Sequence, residues 1–189
     1  MNAVKSLSPS AAAWREWLAE NGPRLFLFAK NQTRSAADAE DVLQDALVKL
    51  VEKLNDGSFD GGQDMWMAYL YTSIRRIAID LGRKDDRRRR REDLVADEAE
   101  SDASLANDPW FDSDSSLEET RVQLERGMRE LPKKFSEVIV LKLWSDKTFA
   151  EIAEMLDVSQ NTVASRYRYG IEILRRKLIE NKSKGDLAL

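Results

Sequence analysis

The side chains best suited to chemistry in this chain are hydrogen-bond donors and acceptors along one C-terminal helical segment. At about 100° per residue, Asn161, Ser165, Arg168 and Tyr169 fall opposite Val163, Ile171 and Leu174. Ala164 lies beside them, Arg166 on a flank, and Thr162 in the same leading turn. Amide, hydroxyl and guanidinium groups on the first turns of a helix match the donor and acceptor pattern of base edges in a major groove, and alanine can approach a thymine methyl. Arg175, Arg176 and Lys177 come later and suit phosphates. The competing reading is an amphipathic packing helix with ordinary polar decoration. Covalent chemistry has little support, because the chain has no cysteine and no histidine. Thiol nucleophiles, imidazole bases and Cys/His zinc sites are thereby excluded. A carboxylate pair, Asp38 and Asp41, could share a site or a magnesium ion, but no glycine-rich phosphate loop accompanies it. The expectation is a protein that is not an enzyme, with no metal and no cofactor.

These residues need elements to position them. The chain has 189 residues, 42% hydrophobic and 34% charged, with 8 Gly and 4 Pro, which points to an all-α fold. Thr148-Phe149-Ala150-Glu151 has the capping-box pattern and opens a short helix with Phe149, Ile152, Ala153 and Leu156 inward. Asp157-Val158-Ser159 is a tight turn. Ser159 then caps the long basic helix, held down by Val163, Tyr167, Ile171, Leu174 and Leu178. Short helix, turn and longer basic helix make a helix-turn-helix. Two helices precede it: one lined by Leu117, Leu124, Met128 and Leu131, and a central one over Lys133 to Trp144. Together they define a helical domain over residues 117–182.

A second helical domain is expected over residues 10–91. Ser10 caps a first helix that Asn21-Gly22-Pro23 ends, and a second follows with Leu25, Phe26, Phe28 and Ala29. The third repeats Ala39, Val42, Leu43, Ala46, Leu47, Leu50, Val51 and Leu54 at helical spacing. Its outer face carries Asp38, Asp41, Asp45 and Glu52, with Gln44 adjacent and Lys49 among them. Such a strip repels DNA and suits either solvent or a basic protein surface. The fourth, about Asp64 to Arg83, has Trp66, Leu70, Ile74, Ile77 and Leu81 inward, and Gly82 is expected to end it early. Trp66 reads as core, whereas Tyr69 and Tyr71 could be core or could stack on single-stranded bases beside Arg75 and Arg76.

Charge is segregated. Glu92 to Glu119 has eleven acidic residues and no basic ones, which leaves +7 on the rest of a chain whose net charge is −4. Gly82 to Arg91 and Val163 to Lys184 each carry seven basic and two acidic residues. Cationic clusters are the footprint of phosphate binding, though a charge run can also be merely solvated. Residues 92–116 read as an acidic flexible linker; within it, Trp110 and Phe111 either clasp a domain of this chain or anchor in a partner. No apolar run approaches the roughly 20 residues of a membrane span, and Met1 to Pro9 does not resemble a leader. Membrane insertion is not expected, and the location is expected to be cytoplasmic.

DAEDVLQDALVKLVEKL (Asp38 to Leu54) and WMAYLYTSIRRIAIDLGRK (Trp66 to Lys84) resemble region 2 of bacterial RNA polymerase sigma factors of the extracytoplasmic-function type. LERGMRELPKKFSEVIVLKLW (Leu124 to Trp144) and FAEIAEMLDVSQNTVASRYRYGIEILRRKL (Phe149 to Leu178) resemble region 4. The resemblance implies that Asp38, Asp41, Gln44, Asp45, Lys49 and Glu52 dock on the clamp of the largest subunit of the RNA polymerase core. It implies that Tyr69, Arg75, Arg76, Asp80, Arg83 and Lys84 engage the −10 element, with the loop Asn55 to Gln63 capturing an unpaired base. It assigns Asn161, Thr162, Ala164, Ser165, Arg166, Arg168, Tyr169 and Arg175 to the −35 element. It also implies an anti-sigma factor as a partner, a monomer when free, and a linker threading toward the RNA exit path. Two positions depart from the family. Arg76 stands where Asn is frequent. Asp157 stands where the turn often has Gly, so it is expected to adopt the left-handed conformation that Asp tolerates. A conventional helix-turn-helix regulator is the rival reading, but it leaves the acidic strip, the second basic helix and the linker without a role.

Overall fold

The structure, a computed structural model, describes residues 10–92 and 118–186, with side chains placed for 10–88 and 121–179. The expectations for the acidic linker and for Trp110 and Phe111 lie outside the described residues. The chain divides into two compact units, Met1–Ala106 and Asn107–Leu189. Every regular element among the described residues is helical.

The first unit contains α1 (Ala11–Gln32), α2 (Ala36–Asn55), a 3-10 turn (Gln63–Met65) and α3 (Trp66–Glu92). Ser10 caps α1 as expected, accepting from the Ala13 N–H at 3.2 Å. The expected break at Asn21-Gly22-Pro23 does not occur, and α1 runs through it. An interior proline costs about 3 kcal/mol because it gives no N–H to the carbonyl four residues back. Asn21 Nδ2 donates to the Trp17 carbonyl at 2.9 Å within the turn that leads into the proline. Trp17 on one side of the proline and Leu25, Leu27, Phe28 and Ala29 on the other are all buried. Large buried apolar side chains contribute about 1.5–3 kcal/mol each, so packing outweighs the proline.

Ser35 caps α2 from the Asp38 N–H at 3.0 Å. Ala39, Val42, Ala46, Leu50 and Leu54 of α2 are buried against α1 and α3. Trp66 opens α3 beneath two α1 rings, stacked on Trp14 at 4.9 Å and edge-on to Trp17 at 5.5 Å. The expectation that Gly82 stops this helix is also corrected. The helix continues to Glu92, because an interior glycine costs only about 0.5–1 kcal/mol. Ion pairs along the extension offset part of that: Asp80–Arg83 at 3.6 Å, Asp85–Arg88 at 3.9 Å, and Arg34 from the α1–α2 corner on Asp86 at 3.0 Å. Each exposed pair is worth tenths of a kcal/mol.

The second unit contains α4 (Glu118–Arg129), α5 (Lys133–Leu143), α6 (Phe149–Leu156) and α7 (Gln160–Asp186). Helix α5 is central, with Val138, Ile139, Val140 and Leu141 fully buried, although Leu143 at its end faces solvent. Helix α7 packs closely on both neighbours at glycines. A Cβ on Gly170 would lie 2.9 Å from Ile139 Cδ1 and 3.0 Å from Phe135 Cβ, and one on Gly127 of α4 would lie 2.7 Å from Leu174 Cδ1. Those two contacts fix how α7 crosses α5 and α4.

Candidate nucleic-acid interface

The α6–turn–α7 segment is built from local signals that all form. Thr148 Oγ1 accepts from the Glu151 N–H at 3.2 Å, and Glu151 Oε2 accepts from the Thr148 N–H at 2.8 Å, completing the capping box. Those bonds to Thr148, together with Lys147 Nζ at 3.1 Å, pull the Glu151 carboxyl down to about 2. Asp157 ends α6 in the left-handed region at φ 54°, ψ 53°, as its place in the turn predicts. Ser159 Oγ then accepts from the Thr162 N–H at 3.1 Å and shares a hydrogen bond with the Thr162 hydroxyl at 2.8 Å. Thr162 is thus part of the cap that starts α7.

Along α7, Asn161, Arg168, Tyr169, Arg175 and Arg176 are exposed, and Ala164 and Ser165 half-buried. Val163 and Leu174 are buried opposite. The Arg168 guanidinium sits over the Tyr169 ring at 5.2 Å, which holds two of the outward side chains together. Tyr167 turns to the other side, its ring 5.5 Å from Phe149 of α6. Two cations of this helix point inward instead. Arg166 Nη1 lies 3.6 Å from Glu137 Oε1 of α5, where the carboxylate side chain is only 5% exposed. Lys177 Nζ donates to Glu130 at the start of the α4–α5 corner. The Lys177 and Arg126 contacts hold the Glu130 carboxyl below its ordinary range. Arg166 was expected on the flank of the reading face, so its partner was not legible in the sequence. Glu137 lies in a run whose helical period is masked by apolar residues on every side.

In the first unit, α3 carries the expected cations on its outer side. Arg76, Arg83 and Lys84 are exposed and Arg75 half-buried. Asp80, Arg83, Asp86 and Arg87 line a shallow cleft. Tyr69 is half-buried, edge-on to Phe59 at 5.5 Å, which braces the loop before α3. Tyr71 resolves to the core: it is 1% exposed and lies edge-on to Phe28 at 5.0 Å. Trp66 is core as expected. Met65, 47% exposed beside Gly61, is an apolar tip that the residue pattern did not single out.

On α2, Asp41, Gln44, Asp45, Lys49 and Glu52 are exposed on one face and Asp38 is half-buried in the first turn. Val48, 47% exposed, sits in the middle of this face. It lies off the apolar stripe of α2, and that offset was its signal in the sequence. Among the described residues no group of three or more carboxylates is arranged to hold a metal ion, and no helix is long and apolar enough to cross a membrane.

Comparison with known proteins bears on both units. A family model described as ECF sigma factor matches residues 24–180. The chain is 26% identical over 175 residues to the ECF RNA polymerase sigma factor SigE of Mycolicibacterium smegmatis, covering 91% of this chain but 64% of that protein. It is 29% identical over 149 residues to SigW of Bacillus subtilis, covering 75% of each. In fold it is similar to the sigma factor RpoE of Bartonella quintana, solved in complex with the anti-sigma factor NepR. That match has a TM-score of 0.68 and 23% identity, and covers 89% of this chain and 98% of the other. With the family model spanning both helical units, the chain belongs to the ECF sigma factors.

Proposed function

We propose that this protein binds the core of bacterial RNA polymerase and directs it to specific promoters, with no catalysis of its own. The observation that carries this reading is the capped α6–turn–α7 unit, which presents Asn161, Arg168 and Tyr169 outward in a chain of this family. Duplex readout at the −35 element is assigned to that helix: Asn161, Ala164, Ser165, Arg168 and Tyr169 face the bases, Thr162 secures the first turn, and Arg175 takes phosphate. The −10 element is assigned to α3 and the loop before it, with Tyr69, Arg75, Arg76, Asp80, Arg83 and Lys84 as contacts. Melting follows from binding the open strand better than the closed duplex.

The exposed α2 face of Asp41, Gln44, Asp45, Lys49 and Glu52, centred on Val48 and led by Asp38, is the docking surface for the polymerase clamp. An apolar centre with an acidic rim suits a basic protein partner and disfavours DNA. Residues 10–91 and 117–182 are the two functional domains, joined by the acidic linker 92–116. The free protein is a cytoplasmic monomer, and an anti-sigma factor is a further partner, as the RpoE–NepR complex suggests for a related fold. The test is co-purification with core polymerase. Asp41→Arg with Asp45→Arg should lower core binding at least tenfold while leaving the helical content unchanged. Wild-type binding by that variant would move the docking surface elsewhere.

A further inference from the structure

The cations of α7 are divided by what lies beneath them. Arg168, Arg175 and Arg176 are exposed, whereas Arg166 is turned against Glu137, with the two side chains 23% and 5% exposed. Helix α7 cannot rotate to release this contact, because Gly170, one turn further along, is pressed against Ile139 and Phe135 of the same α5 helix. A guanidinium within reach of a DNA phosphate adds affinity for every sequence alike. The same guanidinium committed to an internal carboxylate adds none. Removing the carboxylate leaves an arginine beside the reading face with a long stem that can swing outward.

We propose that Glu137 is a specificity-determining positioning residue: its buried carboxylate holds Arg166 off the DNA backbone and so suppresses sequence-independent binding by the reading helix. The inference rests on the assignment of α7 to duplex readout. Glu137 itself touches no DNA, and its effect passes through the Arg166 side chain. The buried Glu137 also explains why Arg166, unlike Arg168, Arg175 and Arg176 of the same helix, is turned inward.

The full-length chain is titrated against a random-sequence 30-base-pair duplex, and the logarithm of affinity is plotted against that of salt concentration. Glu137→Gln should bind this duplex several-fold more tightly at low salt, with a slope steeper by about 0.9, the increment for one added phosphate contact. Adding Arg166→Met to that variant should return the slope to the wild-type value. Glu137→Asp, which keeps the charge, should stay near wild type. A Glu137→Gln slope equal to or shallower than wild type overturns the proposal. So does a steeper slope that survives Arg166→Met.

A second readout needs no variant. On adding the duplex to the wild-type chain, the Nε–H resonances of Arg168 and Arg175 should shift while that of Arg166 stays. A comparable Arg166 shift overturns the proposal even if Glu137→Gln does not fold. A wild-type chain with no salt-dependent duplex binding contradicts the readout assignment of α7 itself. Normal wild-type binding with unaltered variants contradicts only the role of Glu137.

Discussion

At the scale of single residues, the reading face and its supports make separable predictions. Ser165→Ala or Arg168→Ala should lose about 1–3 kcal/mol at particular base pairs and little at others. Arg175→Ala should weaken all sequences alike and flatten the salt slope by about one contact. Binding to a panel of single-base-pair duplex variants separates the two patterns, and identical profiles would contradict the assignment. Thr148 and Glu151 act on stability instead. Thr148→Ala removes the cap acceptor and should destabilise the second unit by about 1 kcal/mol. The Glu151 carboxyl is depressed in the folded state from its ordinary value of 4.5 to about 2. Its contribution is therefore present above the unfolded value and is lost as pH falls from about 4.5 to about 2. Because Glu151 is 44% exposed, water screens that contribution and it stays modest. Thermal melts from pH 6 to pH 2 should show a shallower acid loss in Glu151→Gln than in wild type.

At the scale of elements, the helix boundaries show what a sequence can and cannot reveal. The α2 stripe, the capping box, the Ser159 cap and the left-handed Asp157 were all readable, because each depends on residues within one or two turns. The two misplaced boundaries have other causes. Pro23 was overridden by packing with groups distant in sequence, and Gly82 is a weak breaker whose small cost the helix absorbs. Trp66, far from α1 in sequence, stacks on Trp14, and Arg34 reaches Asp86. The same distinction explains why the outward set on α7 was legible from its 100° period while the Arg166–Glu137 partnership was not. Tyr71 illustrates it again: aromatics beside cations suggested base stacking, and only packing on Phe28 made it core. Glycines test this account. Gly82 has open space around it, so Gly82→Ala should stabilise the first unit by about 0.5–1 kcal/mol. Gly170→Ala meets Ile139 and Phe135 and should destabilise the second unit by about 1–3 kcal/mol. Urea melts of the two variants should move in opposite directions; a shared direction would refute the packing argument.

For the whole molecule, the charge pattern has one consistent use. Two cationic segments flank an eleven-fold acidic one, a pattern that favours nucleic-acid contact on either side of the acidic segment and repels it from that segment. Replacing Glu92 to Glu119 with neutral residues of equal number should raise non-specific DNA binding and impair escape from the promoter, read as a larger share of abortive RNA. The central claim is that this chain gives core RNA polymerase a promoter preference that the core alone lacks. The most direct measurement is transcription by purified core polymerase on a library of genomic fragments, with and without the purified chain. Discrete start sites that require the chain, with a shared upstream sequence and redistributed by Ser165→Ala, are the predicted result. Start sites that are the same with and without it would contradict the account.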